Sequence, residues 1–199
     1  MTVWPEAFSV EGDHVAVVPT SREHTDDLAE AAADGELHRL WFTSVPAPDR
    51  VGAEVERRLG LREQGSMLPF TIIDKASGRP VGMTTYMNID AANRRLEIGS
   101  TWYRKSVQRT PLNTECKLLL LGYAFEQLDC IAVEFRTHFM NFRSRQAIER
   151  LGAKLDGILR CHSILPNGTV RDTAVYSITA SEWPMVKANL TWLLEKPRG

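Results

Sequence analysis

The chain has 199 residues, with 24 Lys and Arg against 25 Asp and Glu and a formal net charge of -1. That length suits one domain, residues 1–199, with a substantial core, and the balanced charge excludes the basic footprint that nucleic-acid or anionic-membrane binding requires. Three cysteines, Cys116, Cys130 and Cys161, have neither CxxC nor Cys/His spacing, so no metal site is expected and the thiols are read as reduced and buried.

Met1 to Phe8 lacks a basic segment followed by an apolar one, and the densest apolar run, Leu118 to Leu121, is too short to span a bilayer. A cytoplasmic protein with no membrane or nucleic-acid partner is expected. His14 to Val18 reads as a first strand, after which Ser21 is placed as the cap of a helix carrying Leu28, Ala31 and Ala32. Asp49 opens a second helix with Val51, Val55 and Leu59 at helical spacing. Trp41 and Phe42 lie between the two helices and are expected in the core, with a substrate mouth as the alternative.

Phe70 to Ile73 and Val81 to Asn88 are β-rich runs around a turn at Lys75 to Arg79, and Arg94 to Tyr103 supplies the fourth strand, with Leu96 and Ile98 alternating against Glu97 and Gly99. Pro111 to Leu128 is a leucine-rich helix, and Ile131 to His138 is a strand. Asn141 caps a short helix that ends at Gly152. Lys154 to His162 and Val170 to Thr179 are strands joined by a hairpin at Pro166-Asn167-Gly168, and Ser181 to Leu194 forms a last helix bearing Trp183 and Trp192.

Thr110 and Pro111 suit the N-cap and N1 positions of the leucine-rich helix. Backbone N–H groups and the positive end of the helix dipole there would meet a pyrophosphate, helped by Gln108, Arg109 and Thr110; an ordinary capped helix start is the alternative. Strand, turn, helix, strand and helix follow in order from Leu96 to Ala153.

In this order of elements, and in the segments Gln108-Arg-Thr-Pro-Leu-Asn-Thr-Glu115 and Asn141-x-x-Ser144…Leu-Gly-Ala153, the chain resembles the GNAT superfamily of N-acetyltransferases, in its RimJ/RimL-like branch. The resemblance implies an α/β (α+β) fold with a central mixed, mostly antiparallel sheet of about seven strands, flanked by helices and splayed between the fourth and fifth strands. It also implies acetyl-CoA as cosubstrate, without a metal, and an amine acceptor, either a small molecule or a peptide N-terminus. A homodimer is compatible with the resemblance.

In the family's pyrophosphate loop the positions of Pro111 and Asn113 are glycines or alanine; here Gln108, Arg109, Thr110, Leu112 and Asn113 take the loop's place. Asn141 matches the residue that bonds the pantetheine arm, and Trp102 is grouped with these cofactor residues. Ile148 stands where many members have the Tyr that protonates the departing thiolate, a role it cannot fill. Ser144 matches the Ser given that role in the branch. Glu97 is the first candidate for the base and His162 the next, with His138 as a further histidine and a structural carboxylate as Glu97's alternative. Cys161 and His162 are adjacent on a strand and should face opposite ways, so direct attack in a ternary complex is expected. The rival readings are a non-catalytic acyl-CoA-binding protein and a cofactor-free dimeric scaffold that uses the Trp183 and Trp192 helix.

Overall fold

A computed structural model describes residues 4–196. The chain begins with a short hairpin, β1 (Val10–Glu11) and β2 (Val15–Pro19), followed by α1 (Thr25–Ala33) and α2 (Val51–Glu63). Next come β3 (Met67–Asp74), β4 (Arg79–Asp90), β5 (Arg95–Tyr103) and α3 (Pro111–Glu126). The chain then forms β6 (Ala132–His138), α4 (Phe142–Arg150), β7 (Lys154–Ile164), β8 (Val170–Thr179) and α5 (Trp183–Glu195). The strands form one sheet in the order β1-β2-β3-β4-β5-β6-β8-β7, so there are eight strands where about seven were expected, the two-residue β1 being the addition.

Every pairing is antiparallel except β5 with β6. That parallel pair is registered only over Arg95–Glu97 against Ala132–Glu134, although β5 runs on to Tyr103 and β6 to His138. The sheet therefore opens between these two strands, which are the fourth and fifth of the sequence reading. Beside the opening β5 carries a bulge: Met83 pairs with Trp102 and Thr85 with Gly99, so Ser100 and Thr101 together oppose Thr84, and Ser100 takes a positive φ of 49°. A bulge breaks the two-residue alternation. Leu96 and Ile98 accordingly pack in the main core with α3, whereas Trp102 is turned to the other face, among Leu28, Ala31, Val51 and Met83.

α1 and α2 cover that second face, and α3, α4 and α5 contribute Leu120, Ile148 and Val186 to the first. α3 is fixed to the amino-terminal hairpin by Glu115, whose carboxylate accepts the N–H groups of Asp13, His14 and Val15 at 2.9, 2.7 and 2.8 Å. Gly12 is needed there, because a Cβ on it would lie 2.4 Å from the Glu115 carboxyl carbon.

Some local expectations are revised. Ser21 and Asp49 do not cap α1 and α2 directly, since single 3-10 turns, Arg22–His24 and Pro48–Arg50, precede each helix. Ile131 lies outside β6 and is exposed. Cys116 and Cys130 are buried, but Cys161 is exposed because it sits at a second bulge, between Leu159 and Ser163, with φ of 51°. Simple alternation of Cys161 and His162 therefore does not apply. Trp183 is buried, stacked on Phe125 with ring centroids 5.3 Å apart and donating to Glu126 at 2.8 Å, so only the exposed Trp192 of that pair is open to a partner.

Candidate active site

The opening between β5 and β6 forms a cavity of about 880 Å³. Gln108, Asn113 and Lys117 reach it from the turn before α3 and from α3 itself, and Asn141, Ser144 and Ile148 reach it from α4. On the opposite face of the sheet, Glu97, Arg136, His138 and Arg171 line it, together with Phe42 from the loop after α1. His162 enters from β7.

Glu97 is 4 % exposed and accepts from Asn88 Nδ2 at 2.6 Å; Arg136 Nε stands at 3.5 Å. Arg95 and Arg136 both bond Glu134 more closely, at 2.5 and 2.8 Å, so Glu97 is the less neutralised carboxylate of the two. Burial pushes its pKa up, against the pull of Asn88 and Arg136. Gly99 makes room for it, because a Cβ there would come within 2.6 Å of Glu97 Oε1.

Ser144 lies in the first turn of α4, and its N–H is capped by Asn141 Oδ1 at 3.1 Å, which holds both residues at the cavity wall. Asn141 thus spends its carbonyl oxygen on the cap and keeps its amide N–H groups as donors. Thr110 is the N-cap of α3, as predicted, and accepts from Leu112 N–H at 3.4 Å. That removes one main-chain donor from those open to a pyrophosphate, leaving Arg109, Thr110 and Asn113. The Leu112 side chain is buried in the core, and Arg109 takes φ of 64°. Gln108 donates to Tyr103 O at 3.0 Å. Trp102 packs in the α1–α2 cluster and also borders the cavity.

His162 is exposed, with Nδ1 3.0 Å from Thr173 Oγ1. His138 is buried, and its Nδ1 accepts the Met140 N–H at 3.0 Å, so Nε2 carries the proton and His138 is a donor rather than a base. Trp41 stacks edge-on against His138 with centroids 5.1 Å apart and is 51 % exposed. Phe42 therefore lines the cavity, with Trp41 packed edge-on beside it and outside the core.

The sequence reading passed over two buried cations here. Arg58 bonds Glu54, Thr85 Oγ1 and, at 3.4 to 3.5 Å, Ser100 O, which braces the β5 bulge from α2. Lys117 donates to Thr84 and Thr101 at 3.2 and 3.0 Å and, among the described residues, has no carboxylate within 4.0 Å. Burial lowers its pKa to about 8 from 10.5. Its place on the buried arc of α3, next to Cys116 and one turn after Asn113, is the signal that could have found it.

Because the folded pKa lies below the unfolded one, the folded state is penalised at neutral pH and the penalty fades as pH rises from about 8 to 10.5. Lys117→Met is expected to raise the unfolding free energy by about 2–3 kcal/mol at neutral pH, with the gain vanishing in strongly alkaline buffer. Urea melts at the two pH values check this, and a variant less stable than wild type at neutral pH contradicts it.

With the geometry in place, comparison with known proteins assigns the class. Residues 14–154 match the family described as Acetyltransferase (GNAT) domain, and the chain belongs to that family. Among solved structures it is similar to a GCN5-related N-acetyltransferase from Brucella melitensis, with a TM-score of 0.82, 36% identity, and coverage of 95% of this chain and 86% of that one. It shares its fold with Mycobacterium smegmatis RimJ in complex with CoA-disulfide, at TM-score 0.77 and 21% identity over 96% of this chain and 95% of that one. By sequence it is 33% identical over 106 residues to the protein named "Putative ribosomal N-acetyltransferase YdaF" of Bacillus subtilis (strain 168). That match covers 53% of this chain and 57% of the relative, so the chain spans little more than half the relative's length. Acetyl transfer is the chemistry of the family.

Proposed function

We propose that the protein transfers an acetyl group from acetyl-CoA to a primary amine, of a small molecule or a peptide N-terminus, by direct attack within a ternary complex. The carrying observation is that Glu97 and Ser144 line one cavity from opposite faces of the sheet, at the point where β5 and β6 part. The residues present fit the cosubstrate: the α3 N-terminus offers main-chain donors and a positive dipole end to a pyrophosphate, and Lys117 adds a buried charge with no carboxylate partner among the described residues. Asn141 keeps an amide donor for the arm beyond it.

Acetyl-CoA supplies an activated acyl group and a thiolate leaving group. Glu97 takes the proton that an ammonium must lose before its nitrogen can attack, and its burial strengthens it as a base. Ser144 Oγ donates to the departing sulfur and limits the charge that develops there. The bulge at Ser100 frees main chain beside the reacting carbon, and Arg58 holds that main chain in place.

Ser144→Ala is expected to lower kcat roughly tenfold to a hundredfold while leaving the dissociation constant of CoA within about twofold, as followed by thiol release and calorimetry. Turnover at the wild-type rate removes Ser144 from the mechanism. Pro111 and Asn113, in place of small residues, favour one second reading, a protein that binds CoA without turnover. Binding of acetyl-CoA with no thiol release across a broad amine panel selects it.

A further inference from the structure

Arg171 lines the cavity beside Glu97 and, among the described residues, forms no ion pair with a carboxylate. Arg136 and Arg95 are engaged with Glu134, and Arg58 with Glu54. Arg171, half-buried on β8, makes one side-chain bond, from Nε to Thr173 Oγ1 at 2.9 Å, and has no ion pair among the described residues. Its two terminal nitrogens, the half of the guanidinium that grips a carboxylate, are left to the cavity.

The same Thr173 oxygen lies 3.0 Å from His162 Nδ1. Thr173 Oγ1 thus links the two side chains, accepting from Arg171 Nε–H and pairing with His162 through Nδ1. Ser163 is the register partner of Arg171 across the β7–β8 hairpin and also lines the cavity. One corner therefore collects the Arg171 fork, the His162 imidazole and the Ser163 hydroxyl, beside Glu97. Arg171 and Glu97 attract one another across this corner without forming an ion pair among the described residues.

We infer that this corner receives an anionic group of the acceptor, and that the acceptor is a small amine bearing a carboxylate, whose amine meets Glu97 while its carboxylate is held by Arg171, His162 and Ser163. The inference rests on the acetyltransferase reading above, and makes Arg171 a specificity-determining residue for it. A neutral amine or a polyamine would leave the Arg171 charge half-buried and unanswered, and a polyamine would add a second positive charge beside it.

The test compares matched acceptors: α-amino acids, the corresponding amines without the carboxylate, and aminoalkylphosphonates of the same chain length. Thiol release from acetyl-CoA is followed for wild type, Arg171→Met and Arg171→Lys. Wild type is expected to prefer the amino acids in kcat/KM roughly tenfold to a hundredfold over the matched amines. Arg171→Met should lose that preference through a raised KM with kcat nearly unchanged, and Arg171→Lys should recover part of it. Equal use of charged and neutral amines by wild type, a preference for the phosphonates over the amino acids, or a preference that survives in Arg171→Met overturns the inference.

If no amine is acetylated, the acetyltransferase reading fails, and calorimetry of the amino acids with CoA-saturated protein still decides the site. Binding that is lost in Arg171→Met supports the corner, whereas no binding, or equal binding by both proteins, overturns it.

Discussion

Glu97→Gln is expected to lower kcat/KM by about 10²–10⁴-fold at neutral pH, with acetyl-CoA affinity within about twofold of wild type. The substitution keeps the volume of the side chain and an oxygen for Asn88 Nδ2, now 2.6 Å from Glu97, and removes the group that takes the amine's proton. Wild-type activity should fall as pH drops through the Glu97 pKa, which burial has raised, because only the carboxylate form accepts a proton. The Gln variant should lack that acid limb. A carboxyl group whose folded pKa is raised loses its contribution to stability as pH rises through that value. Above it the charged form is a cost that Gln avoids, so the variant should melt no lower than wild type at neutral pH. Turnover at the wild-type rate with an unchanged acid limb removes Glu97 from the mechanism.

Glu115→Ala is expected to destabilise the fold by about 3–5 kcal/mol, with a melting temperature lower by roughly 8–15 °C. The Glu115 carboxylate is the acceptor for three consecutive main-chain donors at Asp13, His14 and Val15, and charge-assisted bonds of this kind are among the strong ones. Removing it orphans these donors where β2 meets α3, in a contact closed tightly enough that Gly12 tolerates no Cβ. Chemical denaturation followed by circular dichroism checks the expectation; a change under about 1 kcal/mol would mean that water replaces the carboxylate at little cost.

The difference between what the residues announced and what the fold adds follows from range. α3 was readable from Thr110, Pro111 and its apolar arc, and the β7–β8 turn from Pro166-Asn167-Gly168, because caps and turns are chemistry between near neighbours. The Thr114-Glu115 pair was visible as a motif, yet the groups Glu115 holds lie about a hundred residues upstream, and no local pattern points to them. The turn of Trp102 towards the α1–α2 cluster comes from the bulge at Ser100 and Thr101, which alternation along β5 does not announce; a glycine inside a strand is the available hint.

Trp41 reads as core by its hydrophobicity and is exposed because the loop after α1 passes over the cavity instead of under a helix. Arg171 had no signal of its own. Its significance comes from Arg95 and Arg136 being taken up by Glu134, a fact of three strands brought side by side.

The most direct test of acetyl transfer to an amine is a single reaction containing protein, acetyl-CoA and a panel of amino acids, other small amines and peptides, with free thiol and N-acetylated product both quantified. Thiol released in equal amount to an N-acetylated acceptor is the predicted result. Acetyl-CoA that binds yet yields neither thiol nor acetylated amine, from any acceptor in the panel, contradicts it.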